Sequence, residues 1–456
     1  MAISPDGGSV YVTNGGNDSV SQYTVSAAGR LSPKSPATAA TGANPIGVAV
    51  TPDGQSVYVA NFIGGDFGGT VSQYHVGPGG ALSPKSPATV FADSNPCGVA
   101  VTPDGHSAYV TNYRTESQGT VSQYNVGADG ALSRKSPGSV TTGEAACSVA
   151  VSPNGKSVYV ANAAGSVSQY DVGPGGALSP KSPPAVTDGM GPFGVAVSPY
   201  GTSVYVTNFP RGSVSPSTVS QFDVGTGGKL TPKSPATVAA GISPEGVAVS
   251  PDGRSVYVAN NGSGKVSQYD VGADGRLSPK SPAKVAAGDG PRGVAVSPSN
   301  CRMKGGGRFP DTIASNDRLV RKGDSLSSDR SKPVGPPNSG IAQRLNLAWG
   351  PPANPTKHAF ELKTKLTLAQ CSDTPGVNPG QGQSFDTFLA EGRGRVDGSP
   401  GFKIRVRLTD GGESPSGSGA GKDRVRVEIT RVGNGSRVLL ASGKLSAGNQ
   451  DARDGA

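Results

Sequence analysis

The chain of 456 residues is poor in aromatic rings, sulfur and histidine: aromatics make up 5%, with one tryptophan, four cysteines, three methionines and three histidines. So few rings exclude a core of large aromatic plugs, and burial must come from many small β-branched side chains in thin sheets. Cys97, Cys147, Cys301 and Cys371 match no metal-ligand or redox spacing. There is no run of 18 apolar residues, so no transmembrane helix is expected. A Gly-x-Ser-x-Gly elbow, a Walker loop and a paired-histidine metal motif are all missing, and no cofactor is expected. Net charge is missing from the first 300 residues. The whole formal charge of +9 lies from Cys301 onward, where Lys and Arg number 24 against 15 Asp and Glu. Basic residues there lack interleaved aromatics, so no nucleic-acid partner is expected.

Glycine and proline are abundant, at 69 and 39 residues, and they fall in a period. A Tyr-Val-Thr/Ala-Asn tetrad starts at Tyr11, Tyr58, Tyr109, Tyr159, Tyr205 and Tyr257, at spacings of 47, 51, 50, 46 and 52. Pro-Asp-Gly or a close variant precedes each tetrad, and Val-Ser-Gln-Tyr/Phe follows it. A Leu-Ser/Thr-Pro/Arg-Lys-Ser-Pro segment then carries Lys34, Lys85, Lys135, Lys181, Lys233 and Lys280. A repeat this long fits the four-stranded blade of a β-propeller. In the second copy, Gly47-Val48-Ala49-Val50 is apolar on both faces and reads as the innermost strand. Ser56-Val57-Tyr58-Val59 reads as a buried second strand, and Val71-Ser72-Gln73-Tyr74, with its polar residues, as a partly wet third. Leu82-Ser83-Pro84-Lys85-Ser86-Pro87 has two prolines, each removing a ladder donor, and must be the outer edge. There the ring of lysines is expected to guard an exposed edge, with attraction to an anionic wall polymer or glycan as the alternative. The asparagine ending each tetrad is expected to cap a turn.

The six tetrads and their Pro-Asp-Gly turns resemble the YVTN-repeat β-propellers, related to lactonase-type, 6-phosphogluconolactonase-like seven-bladed propellers. The resemblance covers about two thirds of the chain and implies an exported or cell-surface protein. A seventh copy opens at Pro291-Arg292-Gly293-Val294-Ala295-Val296 and loses its pattern at Cys301, leaving six or seven blades open. The fold expected is all-β: a propeller over residues 1–300, a linker over 301–340 and a small β-sandwich-like domain over 341–456. In that domain strands are expected over 358–368, 384–396, 402–409, 424–430 and 437–445. The chain starts inside a repeat, with Met1-Ala2-Ile3-Ser4-Pro5-Asp6-Gly7. Its given start is therefore expected to lie downstream of the true one, and a missing leader says little about compartment. Cys97 and Cys147 hold equivalent positions in adjacent copies, so a disulfide or two buried thiols both remain open, as does a Cys301–Cys371 pair.

Propeller geometry gathers the loops after the tetrads and the residues before each leading glycine on one face, where the copies differ most. Its candidate ligand-binding residues are Asp66, Arg114, Glu116, Phe193, Arg211, Glu245 and Arg292. The resemblance implies His, Arg and Glu at the channel mouth of a lactone hydrolase. His75 and His106 map to strand ends and turns on the opposite face, and His358 lies outside the propeller, so that chemistry would fall to Glu245 and Arg292. Gly64-Gly65-Asp66 lacks the ligand count of a Ca²⁺ site. Three functions stand open: a binding scaffold for a protein, glycan or cell-envelope component, a hydrolase of a sugar lactone, and a truncated gene product with a structural role only.

Overall fold

The computed structural model describes residues 1–26, 28–62, 68–189, 191–209 and 217–297, and the backbone of strands between residues 301 and 454. It divides into two units, Met1–Pro298 and Ser299–Ala456.

The first unit holds six four-stranded antiparallel blades, each with its strands in chain order. The first blade comprises Ala2–Ile3, Ser9–Asn14, Ser19–Val25 and Leu31–Ala40, and the second Pro45–Val50, Ser56–Asn61, Thr70–Val76 and Leu82–Phe91. The third to sixth begin at Pro96, Ala146, Pro192 and Pro244 and end at Glu144, Thr187, Ala239 and Ala286. Between first and second strands, Asp53 takes the Thr51 hydroxyl and the Gln55 N–H (3.0 Å), while Gly54 sits at φ 71°, which fixes a tight turn.

The core is a series of seams between blades. Tyr58 and Val71 of the second blade pack with Val110, Tyr124 and Leu132 of the third, and equivalent residues fill each of the other seams between consecutive blades. A buried valine or leucine contributes roughly 1.5–3 kcal/mol, so aliphatic stacking around two aromatic rings per seam suffices without larger plugs.

Three expectations change once neighbouring blades are in place. The third strand is dry: Val71, Ser72, Gln73 and Tyr74 are all buried. Gln73 satisfies its amide by donating to Pro87 O (2.8 Å) and accepting Leu132 N–H (2.9 Å) from the next blade. The lysines of the first five blades do not guard an exposed edge, since each reaches a turn carbonyl of the following blade. Lys85, Lys181 and Lys233 are buried, and each reaches a turn carbonyl of the following blade at 2.6–2.7 Å. Lys181 and Lys233 also pair with Asp171 and Asp223. Edge protection falls to the prolines, and exposed Pro84 illustrates this. The tetrad asparagines bridge strands and do not cap turns: Asn61 donates to Thr70 Oγ1 (3.0 Å) and Ser72 Oγ (2.9 Å). Cys97 and Cys147 are both buried, and no disulfide joins them.

Around the channel, each leading glycine lies against the carbonyl before the next one. A Cβ on Gly47 would sit 2.3 Å from Cys97 O, and one on Gly246 would sit 2.7 Å from Arg292 O. At Gly47 and Gly246 only glycine permits this approach, whereas the fourth blade carries Ser148 at the matching position. The seventh inner segment, residues 291–297, continues the pattern, since Gly246 N–H donates to Arg292 O at 2.9 Å. On its other side a Cβ on Gly293 would lie 3.4 Å from Met1 N. The channel is thus lined by seven inner segments, six of them carrying complete blades.

In the second unit an eight-stranded antiparallel sheet includes His358–Leu362, Thr387–Val396, Ser399–Thr409, Arg424–Arg431 and Arg437–Lys444, close to the expected positions. The alternation Phe402, Ile404, Val406, Leu408 carries its period of two, and Ile404 registers with Ile429. Cys301–Lys304 and Arg318–Arg321 are strands inside the expected linker.

Candidate functional site at the channel rim

The residues preceding the leading glycines form a ring at one mouth of the channel: Ile46, Cys97, Cys147, Phe193, Glu245 and Arg292. Its charged sector spans the sixth blade and the seventh inner segment. Glu245 Oε2 lies 4.0 Å from Arg292 Nε, with the glutamate side chain 11% exposed and the arginine 78%. The backbone beneath is pinned. Thr207 Oγ1 donates to Glu245 O (2.7 Å) and accepts Gly194 N–H (2.8 Å), tying the fifth blade's rim to the sixth. Thr111 plays the same part below Cys147, donating to its carbonyl at 3.1 Å and accepting Gly98 N–H at 2.8 Å. Where Ser148 replaces a leading glycine, its Oγ accepts Val195 N–H of the next blade at 3.4 Å.

Of the residues singled out from sequence, the structure brings Phe193, Glu245 and Arg292 together on consecutive rim positions, with Phe193 half-buried. Arg114 and Glu116 lie three blades away and serve their own loop. Arg114 O accepts Ala145 N–H (2.7 Å), and Glu116, at φ 66°, donates its N–H to Glu144 Oε1 (2.9 Å). Asp66 and Arg211 lie outside the described residues. His75 Nδ1 meets Lys85 Nζ at 3.0 Å, and exposed His106 lines a cleft of about 510 Å³ with Asp104 and Asn125, both on the opposite face. Among the described residues no three His, Cys, Asp or Glu side chains cluster to hold a metal ion. None of the described helices is long and apolar enough to cross a membrane.

Two carboxylates escaped sequence reasoning. Asp188 is 6% exposed in the seam between the fourth and fifth blades, where burial pushes its pKa up to about 7 against the pull of Ser220 and Asn208. Its Oδ2 and the Asn208 Oδ1 are both buried without a hydrogen-bond partner among the described residues. Asp93, in the seam between the second and third blades, is also partly buried. Hydrogen bonds from Thr120 and Arg134 (2.7 Å each), with the Arg134 charge, hold it below the usual carboxylate range. The available signal was departure from the repeat: sister copies carry Thr or Ala where Asp188 stands, and Gly where Asp93 stands.

The lactonase family, described as a seven-bladed β-propeller, matches residues 1–67, 62–194 and 135–303. The chain belongs to that family. Its matched region ends where the seventh blade has contributed only its inner segment. No curated protein matches the chain in sequence. Among solved structures, a putative 6-phosphogluconolactonase from Bacteroides fragilis NCTC 9343 is similar at 22% identity and TM-score 0.54, covering 64% of this chain and 84% of that one. Another from Bacteroides uniformis ATCC 8492 shows 21% identity and TM-score 0.50, over 64% and 85%. Hydrazine synthase of Kuenenia stuttgartiensis shows 20% identity and TM-score 0.50, over 65% and 88%. At such identities the likeness establishes the propeller fold alone, which carries functions as different as those two names.

Proposed function

We propose that this lactonase-family propeller hydrolyses a sugar lactone at the rim, with Glu245 and Arg292 as the reacting pair. The observation that carries the proposal is their 4.0 Å approach, a largely buried carboxylate beside an exposed guanidinium at the channel mouth. Glu245 takes a proton from water as the water oxygen attacks the lactone carbonyl carbon. Arg292 faces the oxyanion that forms. The ring C–O bond then breaks, and the leaving alkoxide recovers the proton from Glu245; the carboxylic acid so formed loses its remaining proton to solvent, giving a hydroxy acid whose carboxylate lies by Arg292. Phe193 offers an apolar surface to the sugar ring. A screen of sugar lactones beginning with 6-phosphogluconolactone tests this: a turned-over lactone is expected, slowed about 10²–10⁴-fold by Glu245→Gln. A full screen without turnover removes the hydrolase.

A second reading, a non-enzymatic binding propeller, exported and engaging a protein or envelope glycan, is favoured by one observation. Both described histidines lie on the opposite face, so the rim has an acid and a cation but no described imidazole. Saturable lactone or glycan binding at the rim without turnover would favour it.

A further inference from the structure

Consecutive blades share a hydroxyl pin that one seam lacks. The third-strand tyrosine donates to a carbonyl at a fixed place in the preceding blade's fourth strand: Tyr74 to Ala40 O, Tyr124 to Phe91 O (2.7 Å), Tyr170 to Thr141 O (2.6 Å) and Tyr269 to Ala239 O (2.7 Å). Between the fourth and fifth blades the series breaks. Phe222, buried, stands where the tyrosine would, and having no hydroxyl it leaves Thr187 O, the matching carbonyl, without that donor. The residue after Thr187 is Asp188.

Asp188 Oδ2 is the single carboxylate oxygen buried without a hydrogen-bond partner among the described residues. Asn208, buried and within reach of that carboxyl, has its Oδ1 bare as well. Asn61 and Asn112 share a bare Oδ1, but Asp188 alone adds a stranded acid. The preceding seam shows what belongs between the two. There Thr142 holds the place of Asp188 and Asn162 that of Asn208, and Thr142 Oγ1 donates to Asn162 Oδ1 at 3.1 Å. In the following seam Gly241 N–H fills the same acceptor, Asn260 Oδ1, at 2.9 Å. Two acceptors cannot satisfy one another in a dry seam, whereas one proton on the carboxyl satisfies both. The surroundings supply no charge: Gly165 O accepts Asp188 N–H (3.1 Å), Ser220 and Asn208 pull the carboxyl towards ionisation, and no charged or titratable side chain among the described residues acts on it. Burial prevails and pushes its pKa up to about 7.

We infer that Asp188 is a proton-operated latch between the fourth and fifth blades: as a neutral acid it donates to Asn208 Oδ1 in the place of a threonine, and as a carboxylate it releases the connection leading to the rim. The proton comes from solvent and returns to it. The connection runs through Gly189 (φ 63°) and Gly191 (φ 78°) to Pro192 and Phe193, and Gly191 O accepts Phe209 N–H at 2.7 Å. Glycine holds such angles at no steric cost, so the backbone opposes movement little once the latch lets go. Opening exposes a carboxyl that ionises near 4 and closing restores one that ionises near 7, so the open fraction grows about tenfold per pH unit between those values and levels off above them. The inference is independent of chemistry at Glu245 and Arg292.

The test reads amide hydrogen exchange over Phe193–Val197 in the full chain from about pH 5 to pH 9, corrected for the intrinsic effect of pH, against Asp188→Thr, which installs the preceding seam's uncharged donor. The ratio of opening in the native chain to opening in the variant should rise about tenfold per pH unit up to about pH 7 and then stay level. Phe222→Tyr, which returns a hydroxyl to Thr187 O, should lower opening at pH 8 about three- to tenfold, the worth of one hydrogen bond. Nuclear magnetic resonance of the chain carrying carboxyl-labelled aspartate reads the proton itself: the signal missing from Asp188→Asn should titrate near pH 7. Parallel exchange profiles in the native chain and Asp188→Thr overturn the inference, as does an Asp188 signal that titrates near pH 4. Opening at pH 8 that sodium, potassium or calcium chloride suppresses in the native chain but not in the variant, at constant ionic strength, also overturns it, because a metal cation and not a proton would then join Asp188 to Asn208.

Discussion

Gln123→Ala is the sharpest probe of how this propeller holds together. Gln123 is fully buried, accepts Leu178 N–H at 2.7 Å from the fourth blade and donates to Pro137 O at 3.2 Å in its own. Truncation strands one donor and one acceptor, each costing roughly 1–3 kcal/mol when buried without a partner. The lost methylene contacts add about 0.8 kcal/mol per group, so the expected destabilisation is about 3–5 kcal/mol. Gln268→Ala is the internal control. Its side chain makes the same bond to Pro282 O (2.7 Å) but receives no N–H from a following blade among the described residues, and a loss of about 1 kcal/mol is expected. All thirteen tyrosines lie in the first unit and the single tryptophan, Trp349, in the second, so urea unfolding followed by tyrosine fluorescence reports the propeller. Equal losses for the two substitutions would refute the claim that seams, and not blades taken singly, carry the stability.

Other consequences are as direct. Asp188 has a folded pKa raised to about 7, so its contribution to stability is full below the unfolded carboxylate value near 4 and is lost as pH rises towards 7. Asp188→Asn should raise the urea midpoint at pH 8, leave it nearly unchanged at pH 4 and flatten the profile between. A steeper profile in the variant would contradict this. Lys181→Ala breaks a buried charged bond to Gly227 O and should cost about 1.5–3 kcal/mol, whereas Lys280→Ala, at a more open position beside Asp270, should cost under about 1 kcal/mol in the same melts. Thr207→Val removes both bonds that pin the rim below Glu245 and should destabilise by about 1–2 kcal/mol, read as a shifted urea midpoint.

The blades were legible in the sequence because each strand's pattern is local: the tetrad, the Pro-Asp-Gly turn and the proline-bearing edge announce themselves within one repeat. What neighbouring blades do to one another was not. Lys85 looks like edge protection until the next blade's turn closes over it, and Gln73 looks wet until Leu132 N–H arrives. Both errors come from reading a blade as if it stood alone. At the rim, register alone placed Glu245 beside Arg292, since both precede a leading glycine. Asp188 was missed because it lies in the link between a fourth strand and the next blade's first, a stretch where one substituted residue in an irregular connection carries no periodic signal. The seventh repeat's opening was visible at Pro291, but only the contacts of Gly246 and Gly293 show that it closes the inner ring.

The most direct test of the rim account is kcat/KM for the best sugar lactone from the screen, measured for the native chain, Glu245→Gln, Arg292→Ala and His106→Asn. The account predicts losses of about 10²–10⁴-fold for the first variant and 10²–10³-fold for the second, with His106→Asn indistinguishable from native. Undiminished turnover in Glu245→Gln, or loss confined to His106→Asn, would move the chemistry off the rim and contradict it.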